Sequence, residues 1–308
     1  MKQVLFFDQT TEAIRELTAV LDNFASALIA IRNMRCEVRG VLAECPEFTE
    51  EMFHARYHFD NKIRWKNYKT IFNIQPFAIQ EEAFTRYLLI STFMIFEGWL
   101  DRMRRAGVIT GNMSQSLQCP SLASNSLNAH TQTNMSAIMT SVFYPCYQAN
   151  KKYNYVNIVA MLYCFQMFKK IRNSLVHAGR SVTQQCLSAF QDYQQYCTCA
   201  SLGVSEVPQI NSLVLGNTLV PSFRGVIGFT DIVIRILISY DCELVKTSMA
   251  EQYFLTKFHQ AKVTNGFPSS NRGKALKELS ARIRKCGFII PANVSTLQSF
   301  LVSKGYNC

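Results

Sequence analysis

One segment, residues 80–105, constrains the fold more than any other: QEEAFTRYLLISTFMIFEGWLDRMRR. Glu81 and Glu82 stand at its start and three arginines at its end, which suits the direction of a helix dipole. Because its middle is apolar nearly all round, it predicts a helix at the centre of a bundle. Glu97 interrupts that apolar middle, and a buried carboxylate needs a partner, so we expect Glu97 to meet a donor.

Apolar residues elsewhere in the chain also recur with a helical period. They predict helices over residues 10–35, 155–179, 183–197, 223–245 and 271–287. Two short β-prone runs surround Gly216 and Asn217, a dipeptide typical of a tight hairpin turn. Residues 106–150 contain no Asp, Glu, Lys or Arg and are rich in Ser, Asn, Gln and Thr. That composition predicts a long loop or lid.

These patterns predict a mainly α protein with one short β-hairpin. We expect a helical domain over residues 1–245, with residues 106–150 as an uncharged insertion. Residues 246–308 follow as a small basic C-terminal segment. With 308 residues and a hydrophobic content of 48%, the chain has ample material for a core and is not a disordered protein.

The eleven cysteines are scattered, and the first residues turn polar too early for a signal peptide. The sequence therefore predicts reduced thiols in a cytoplasmic protein. Its longest apolar run is too short to span a bilayer, so no membrane association is expected. Cys197 and Cys199 lack a second pair at zinc-finger spacing. His54 and His58 have helical metal spacing but no third ligand, which favours an exposed aromatic-rich helix face. We expect no metal and no cofactor.

The net charge of +11 is unevenly distributed. From Lys246 onward there are ten Lys or Arg against two acids, a net charge of +8. Such a basic segment favours a polyanionic partner, although a solvated face would have the same composition. We predict that RNA backbone is bound by six cations within 14 residues, Arg272, Lys274, Lys277, Arg282, Arg284 and Lys285.

A second polar motif, FKKIRNSLVHAGR over residues 168–180, ends one predicted helix. Asn173 and His177 are four residues apart and share a helix face. Arg172 lies about 140° round the helix from His177, and its long side chain can still reach the same cleft. A cation that grips phosphate would then lie beside an imidazole that moves protons. The alternative is an ordinary polar helix end, with His177 and nearby lysines complementing the dipole.

The stretch IRNSLVHAG resembles the signature of the HEPN superfamily, the all-helical domains of many RNases in prokaryotic defence. The family pattern is an Arg, a polar residue, a short spacer and a His, which Arg172, Asn173 and His177 match. The family often has an upstream apolar helix with an acidic residue, and LLISTFMIFEGWL with Glu97 is similar to it. Residues 106–150 and the basic C-terminal segment are not part of the minimal domain.

The resemblance implies a metal-independent endoribonuclease that uses the 2′-OH of RNA as nucleophile and leaves a 2′,3′-cyclic phosphate. Arg172 would stabilise the scissile phosphate, Asn173 would orient the phosphate or the imidazole, and His177 would transfer protons. Glu97 would support the site. It also implies a homodimer that joins two motifs in one cleft. The protein would then be a toxin or anti-phage effector, with an antitoxin or defence-system partner.

Two other functions stay open from the sequence. One is a catalytically inactive HEPN-like adaptor or a nucleic-acid-binding regulatory module. The other is a DNA-binding protein that uses its basic C-terminal helix and needs neither Arg172 nor His177. The RNA that is cut, the trigger and the partner stay open as well.

Overall fold

The computed structural model of the chain describes residues 5–57, 67–261 and 272–306, which are mainly α-helical. In chain order the α-helices are α1 (Asp8–Glu44), α2 (Glu50–Arg56), α3 (Phe77–Arg105), α4 (Gly111–Ser116), α5 (Ala123–Thr133), α6 (Tyr144–Gln148), α7 (Ile158–His177), α8 (Gln184–Tyr196), α9 (Cys199–Leu202), α10 (Phe223–Leu244), α11 (Ser248–Gln260), α12 (Arg272–Lys285) and α13 (Val294–Ser303). Two π-helical turns, Lys69–Ile74 and Met139–Phe143, and one 3-10 turn, Tyr155–Asn157, connect them. The prediction of a mainly α fold is confirmed.

The core forms where α3, α7 and α10 meet. Phe229 of α10 packs on Phe168 of α7 with ring centroids 4.4 Å apart and on Phe93 of α3 at 5.2 Å. All three rings are buried. Helix α10 is apolar around most of its circumference and is buried on nearly every side. By contrast, α3 is not enclosed as its sequence predicts, because Tyr87 and Met94 are each 62% exposed.

The N-terminus of the long helix α1 is held by a buried carboxylate. Asp241 of α10 accepts hydrogen bonds from the backbone N–H of Phe6, at 2.8 Å, and of Phe7, at 3.2 Å. Next to it, Trp99 Nε1 donates to Thr10 Oγ1 at 2.9 Å. A negative group at the N-terminus satisfies free N–H groups and complements the helix dipole. These contacts therefore tie α1 to both α3 and α10.

The C-terminal half of α1 carries a second, smaller core made of Val38, Phe53, Tyr68 and Phe72. His54 lies at its edge, with its ring 5.0 Å from that of Tyr68 in an edge-on contact. Its predicted neighbour, His58, lies outside the described residues. No group of three or more potential metal ligands occurs within the described part of the chain.

The prediction of a long loop or lid over residues 106–150 is wrong. The segment forms α4, α5, a π-helical turn and α6, and it buries Met113, Leu127 and Phe143 in the main core. Its lack of charge is what allows this burial, because Ser, Thr and Asn side chains satisfy nearby backbone groups at little desolvation cost. Thr110, for example, accepts from the N–H of Met113 at the start of α4.

The hairpin predicted around Gly216 and Asn217 is also wrong. This segment makes its backbone hydrogen bonds with the loop after α7 instead. Gly216 N–H donates to the carbonyl of Val182 at 3.0 Å, and Leu219 N–H donates to that of Arg180 at 2.7 Å. The turn at Gly216 has the positive φ of 79° that Gly tolerates. The β-prone residues therefore extend along a distant loop rather than along each other.

Composition argued against membrane spans and disulfides. In the parts that the structure covers, no helix is long and apolar enough to cross a membrane. The ten described cysteines are all free thiols. Cys197 is buried and Cys199 is exposed, so the two cysteines that are closest in sequence do not present a shared pair of metal ligands.

The basic C-terminal segment packs on the same core as the rest of the chain. Phe254 and Phe258 of α11, Phe288 after α12, and Leu297 and Leu301 of α13 all join it. Cations of this segment therefore stand on elements that are anchored by apolar contacts.

We predict that Asp241 makes stability fall as pH rises. Burial raises the pKa of Asp241 to about 6, although hydrogen bonds from Phe6, Thr10 and Phe7 oppose that rise. A raised folded-state pKa means that the native state holds the proton more tightly, so stability is greatest below about pH 4 and falls through pH 6. The effect is on the order of 3 kcal/mol, at about 1.36 kcal/mol per pKa unit.

Urea unfolding from pH 4 to pH 7.5 tests this effect, with Asp241→Asn as the variant that cannot ionise. The free energy of unfolding of the wild type, minus that of the variant, should decrease between pH 4 and 6 and then level off. A difference independent of pH would contradict the prediction.

Candidate active site on α7

One side of α7 faces the core and the other carries the polar motif. Phe165, Phe168 and Ile171 are buried, whereas Asn173 is partly exposed and His177 is exposed. This separation follows from the helical period, which places residues three or four apart on one face. The polar motif is therefore accessible from solvent over the last turns of the helix.

The guanidinium of Arg172 has contacts on both α3 and α7. Its Nη1 donates to Asn173 Oδ1 at 3.2 Å, and its Nη2 lies 3.9 Å from Glu97 Oε2. Its Cζ also lies 5.9 Å from the ring centroid of Phe93. The contact with Asn173 turns the guanidinium toward the face that Asn173 shares with His177. Asn173 thus orients Arg172 directly. Its predicted role, to orient the phosphate or the imidazole, did not include this contact.

From its position in α3 we expected Glu97 to meet a donor, and its carboxylate lies 3.9 Å from Arg172. Its surroundings differ from that expectation, because the side chain is 42% exposed rather than buried. An ion pair this long and this exposed adds little to the free energy of folding. Its effect is on the direction of the guanidinium and on the local charge.

Lys169 is a further member of this cluster. Its Nζ donates to Gln118 Oε1 at 3.0 Å, and the side chain is half-buried. Burial lowers its pKa, and the positive charges of Arg172 and Lys170 lower it further, while Glu97 opposes the shift. Gln118 comes from the uncharged segment, 51 residues away in sequence. Sequence reasoning gave Gln118 no role, because no local pattern signals a contact over that separation.

His177 is the last residue of α7 and is exposed, and its imidazole makes no hydrogen bond within the described part of the chain. The chain turns sharply after it. Gly179 and Arg180 both adopt positive φ, at 57° and 66°. Arg180 then pairs with Glu82 of α3 at 3.2 Å, which holds the turn against the neighbouring helix. The imidazole is thus left at the edge of the helix, where a ligand can reach it.

The predicted RNA-binding cations differ in their surroundings. Lys274, Lys277, Arg284 and Lys285 are exposed on α12. Arg282 turns inward: its Nη2 donates to the carbonyl of Phe258 at 2.8 Å, and its Cζ lies 3.9 Å from that ring's centroid. The side chain of Arg272 lies outside the described part of the chain.

Comparison with protein-family models, with curated proteins and with solved structures gave no match to this chain. The HEPN resemblance accordingly rests on the sequence motif and on the sequence of the upstream helix with Glu97.

Replacing Glu97 by Gln should lower the pKa of Lys169 further. The carboxylate of Glu97 favours the charged ammonium, and the variant removes that charge while keeping the side-chain shape. A pH titration of the Lys169 side-chain resonance by NMR, assigned with Lys169→Gln, measures the shift.

The matched control is Asp101→Asn, one turn further along α3, where the carboxylate pairs with Arg104 and Arg105. It should leave the Lys169 titration unchanged. An unaltered titration in Glu97→Gln would show that the carboxylate does not act on this cluster.

Proposed function

We propose that the chain is a metal-independent endoribonuclease of the HEPN type. The observation that carries the proposal is a guanidinium that contacts both Glu97 and Asn173, on the helix that ends at the exposed His177. Phosphate is recognised by such a guanidinium, and an imidazole can accept and donate protons. The proposal extends to a toxin or anti-phage effector, the role that the family resemblance implies.

The chemistry requires only groups that RNA and this site supply. The 2′-oxygen attacks the adjacent phosphorus, and its proton passes to an imidazole. The bond from phosphorus to the 5′-oxygen breaks, and that oxygen takes a proton. The products are a 2′,3′-cyclic phosphate and a 5′-hydroxyl. Arg172 stabilises the negative charge that develops on the phosphoryl oxygens.

Two proton transfers are more than one histidine performs easily, and a two-fold homodimer supplies the second His177. Exposed apolar side chains flank the motif on both helices. Met94, one turn before Glu97, is 62% exposed, and Val176, next to His177, is 48% exposed. We place both side chains in the proposed dimer interface, on the α3–α7 face.

Substituting His177 by Ala, or Arg172 by Ala, should abolish RNA cleavage, at least about 100-fold for the loss of general acid–base catalysis. The matched control is His259→Ala, because His259 is also an exposed histidine in the last turn of a helix. Cleavage of total RNA, run in EDTA and followed by mapping of 3′ ends, measures both the rate and the cyclic phosphate.

Cleavage by His177→Ala at the wild-type rate would overturn the proposal. So would loss of wild-type cleavage in EDTA that Mg²⁺ restores. If the wild type and both variants bind nucleic acid equally and none of them cuts RNA, the adaptor or DNA-binding alternatives are favoured instead. The exposed cations of α12 are the feature that supports those alternatives.

Introducing a charge at Met94 should separate the dimer and remove activity, because a buried unpaired carboxylate is costly at an interface. Met94→Glu is compared with Ile29→Glu, a control at the similarly exposed Ile29 of α1. Sedimentation velocity gives the mass and the cleavage assay gives the rate. A monomeric Met94→Glu protein that cuts RNA at the wild-type rate would refute the shared cleft.

A further inference from the structure

The solvent side of α7 carries a continuous row of polar and aromatic residues that runs beyond the motif. Their spacing alternates between three and four residues, so they lie on one helix face. The row consists of Tyr163, Gln166, Lys170, Asn173 and His177, and each side chain is partly or fully exposed. From Tyr163 to His177 it covers roughly 21 Å at 1.5 Å per residue.

An open groove lies beside the first part of this row, between α7 and α8. Its volume is about 300 Å³. Gln166 and Lys170 line it from α7, and Gln185, Ser188 and Asp192 line it from α8. Polar side chains surround the groove, but most of its exposed lining surface is apolar. Asn173 and His177 lie beyond Lys170 on the same face of α7.

Two stacked tyrosines stand at the end of the groove away from His177. The rings of Tyr163 and Tyr196 are nearly parallel, at 10°, with centroids 4.2 Å apart. Tyr196 remains 39% exposed, so the stack is open to solvent on the α8 side. Aromatic platforms of this kind accept nucleic-acid bases, because every base presents a π face.

The charges in the groove give it a direction. Lys170 Nζ donates to Gln185 Oε1 at 3.0 Å and provides the positive charge on the motif side. Asp192, which lines the groove together with Tyr163, provides a negative charge. A phosphate is attracted by Lys170 and repelled by Asp192, whereas the exocyclic amine of a base can donate to that carboxylate.

We infer that this groove binds the single-stranded part of the RNA substrate next to the scissile phosphate. One base stacks on Tyr196, the backbone passes Lys170, and the strand continues to Asn173 and His177. This inference rests on the proposed ribonuclease function. It specifies single-stranded RNA, because bases in a duplex are stacked on each other and cannot stack on a side chain.

Binding can be measured separately from cleavage with a fluorescein-labelled 2′-O-methyl oligonucleotide, which lacks the attacking hydroxyl. Fluorescence anisotropy then gives its affinity for each variant. Tyr196→Ala should weaken binding about 5- to 150-fold, since base–aromatic stacking contributes about 1–3 kcal/mol per base. Tyr196→Phe keeps the ring and should bind like the wild type.

Lys170→Gln tests the backbone contact. The slope of log affinity against log salt should decrease in magnitude by about 0.7, the value for one phosphate contact on a single strand. Lys151→Gln, at an exposed lysine outside the groove, should leave the slope unchanged.

Three outcomes would overturn the inference that the groove binds RNA. They are no binding of the single strand by the wild type, an affinity of Tyr196→Ala equal to that of the wild type, or tighter binding of a duplex than of the single strand. Cleavage that persists while Tyr196→Ala binds normally would remove the groove and leave the ribonuclease proposal standing. Groove-dependent binding by a protein that cuts no RNA would remove the ribonuclease proposal instead.

Discussion

The packing of Phe229 against α3 and α7 determines which side of α7 meets solvent. Its ring contacts Phe168 and Phe93 at the same time, and all three are buried in a close-packed interior. With that side of α7 held inward, the helical period places Asn173 and His177 outward and Arg172 at the boundary with α3. The arrangement of the candidate site follows from this contact.

Charge on α7 is concentrated near the motif. Lys169, Lys170 and Arg172 lie within four residues, and Glu97 pairs with Arg172 and favours the charged form of Lys169. Cations near the C-terminus of a helix are favoured by its dipole, which accounts for the lysines without any ligand. It does not account for the contacts of Arg172 with Asn173 and Glu97, which orient the guanidinium. These contacts support the proposed anion-binding role of Arg172.

The uncharged segment and the basic C-terminal segment both pack on the main core, but they differ in charge. Residues 106–150 bury their apolar side chains and bring Gln118 to Lys169. The C-terminal segment is anchored by apolar residues and keeps most of its described cations of α12 exposed, with Arg282 turned onto Phe258. An anchored helix with exposed cations retains its charge distribution, which suits a role in affinity for a polyanion.

Local features were predictable from the sequence. The helices α1, α3, α7, α8, α10 and α12, the end of α7 before Gly179 and the common face of Asn173 and His177 depend on residues a few positions apart. The helices of residues 106–150 were missed, because polar uncharged composition is also typical of loops. The exposure of Glu97, the contact between Lys169 and Gln118, and the stacking of Tyr196 on Tyr163 depend on helices that are distant in sequence. The hairpin around Gly216 failed for the same reason: its backbone groups found partners in the loop after α7. Propensity and periodicity act over one or two turns, whereas burial and pairing depend on which surfaces the tertiary structure brings together.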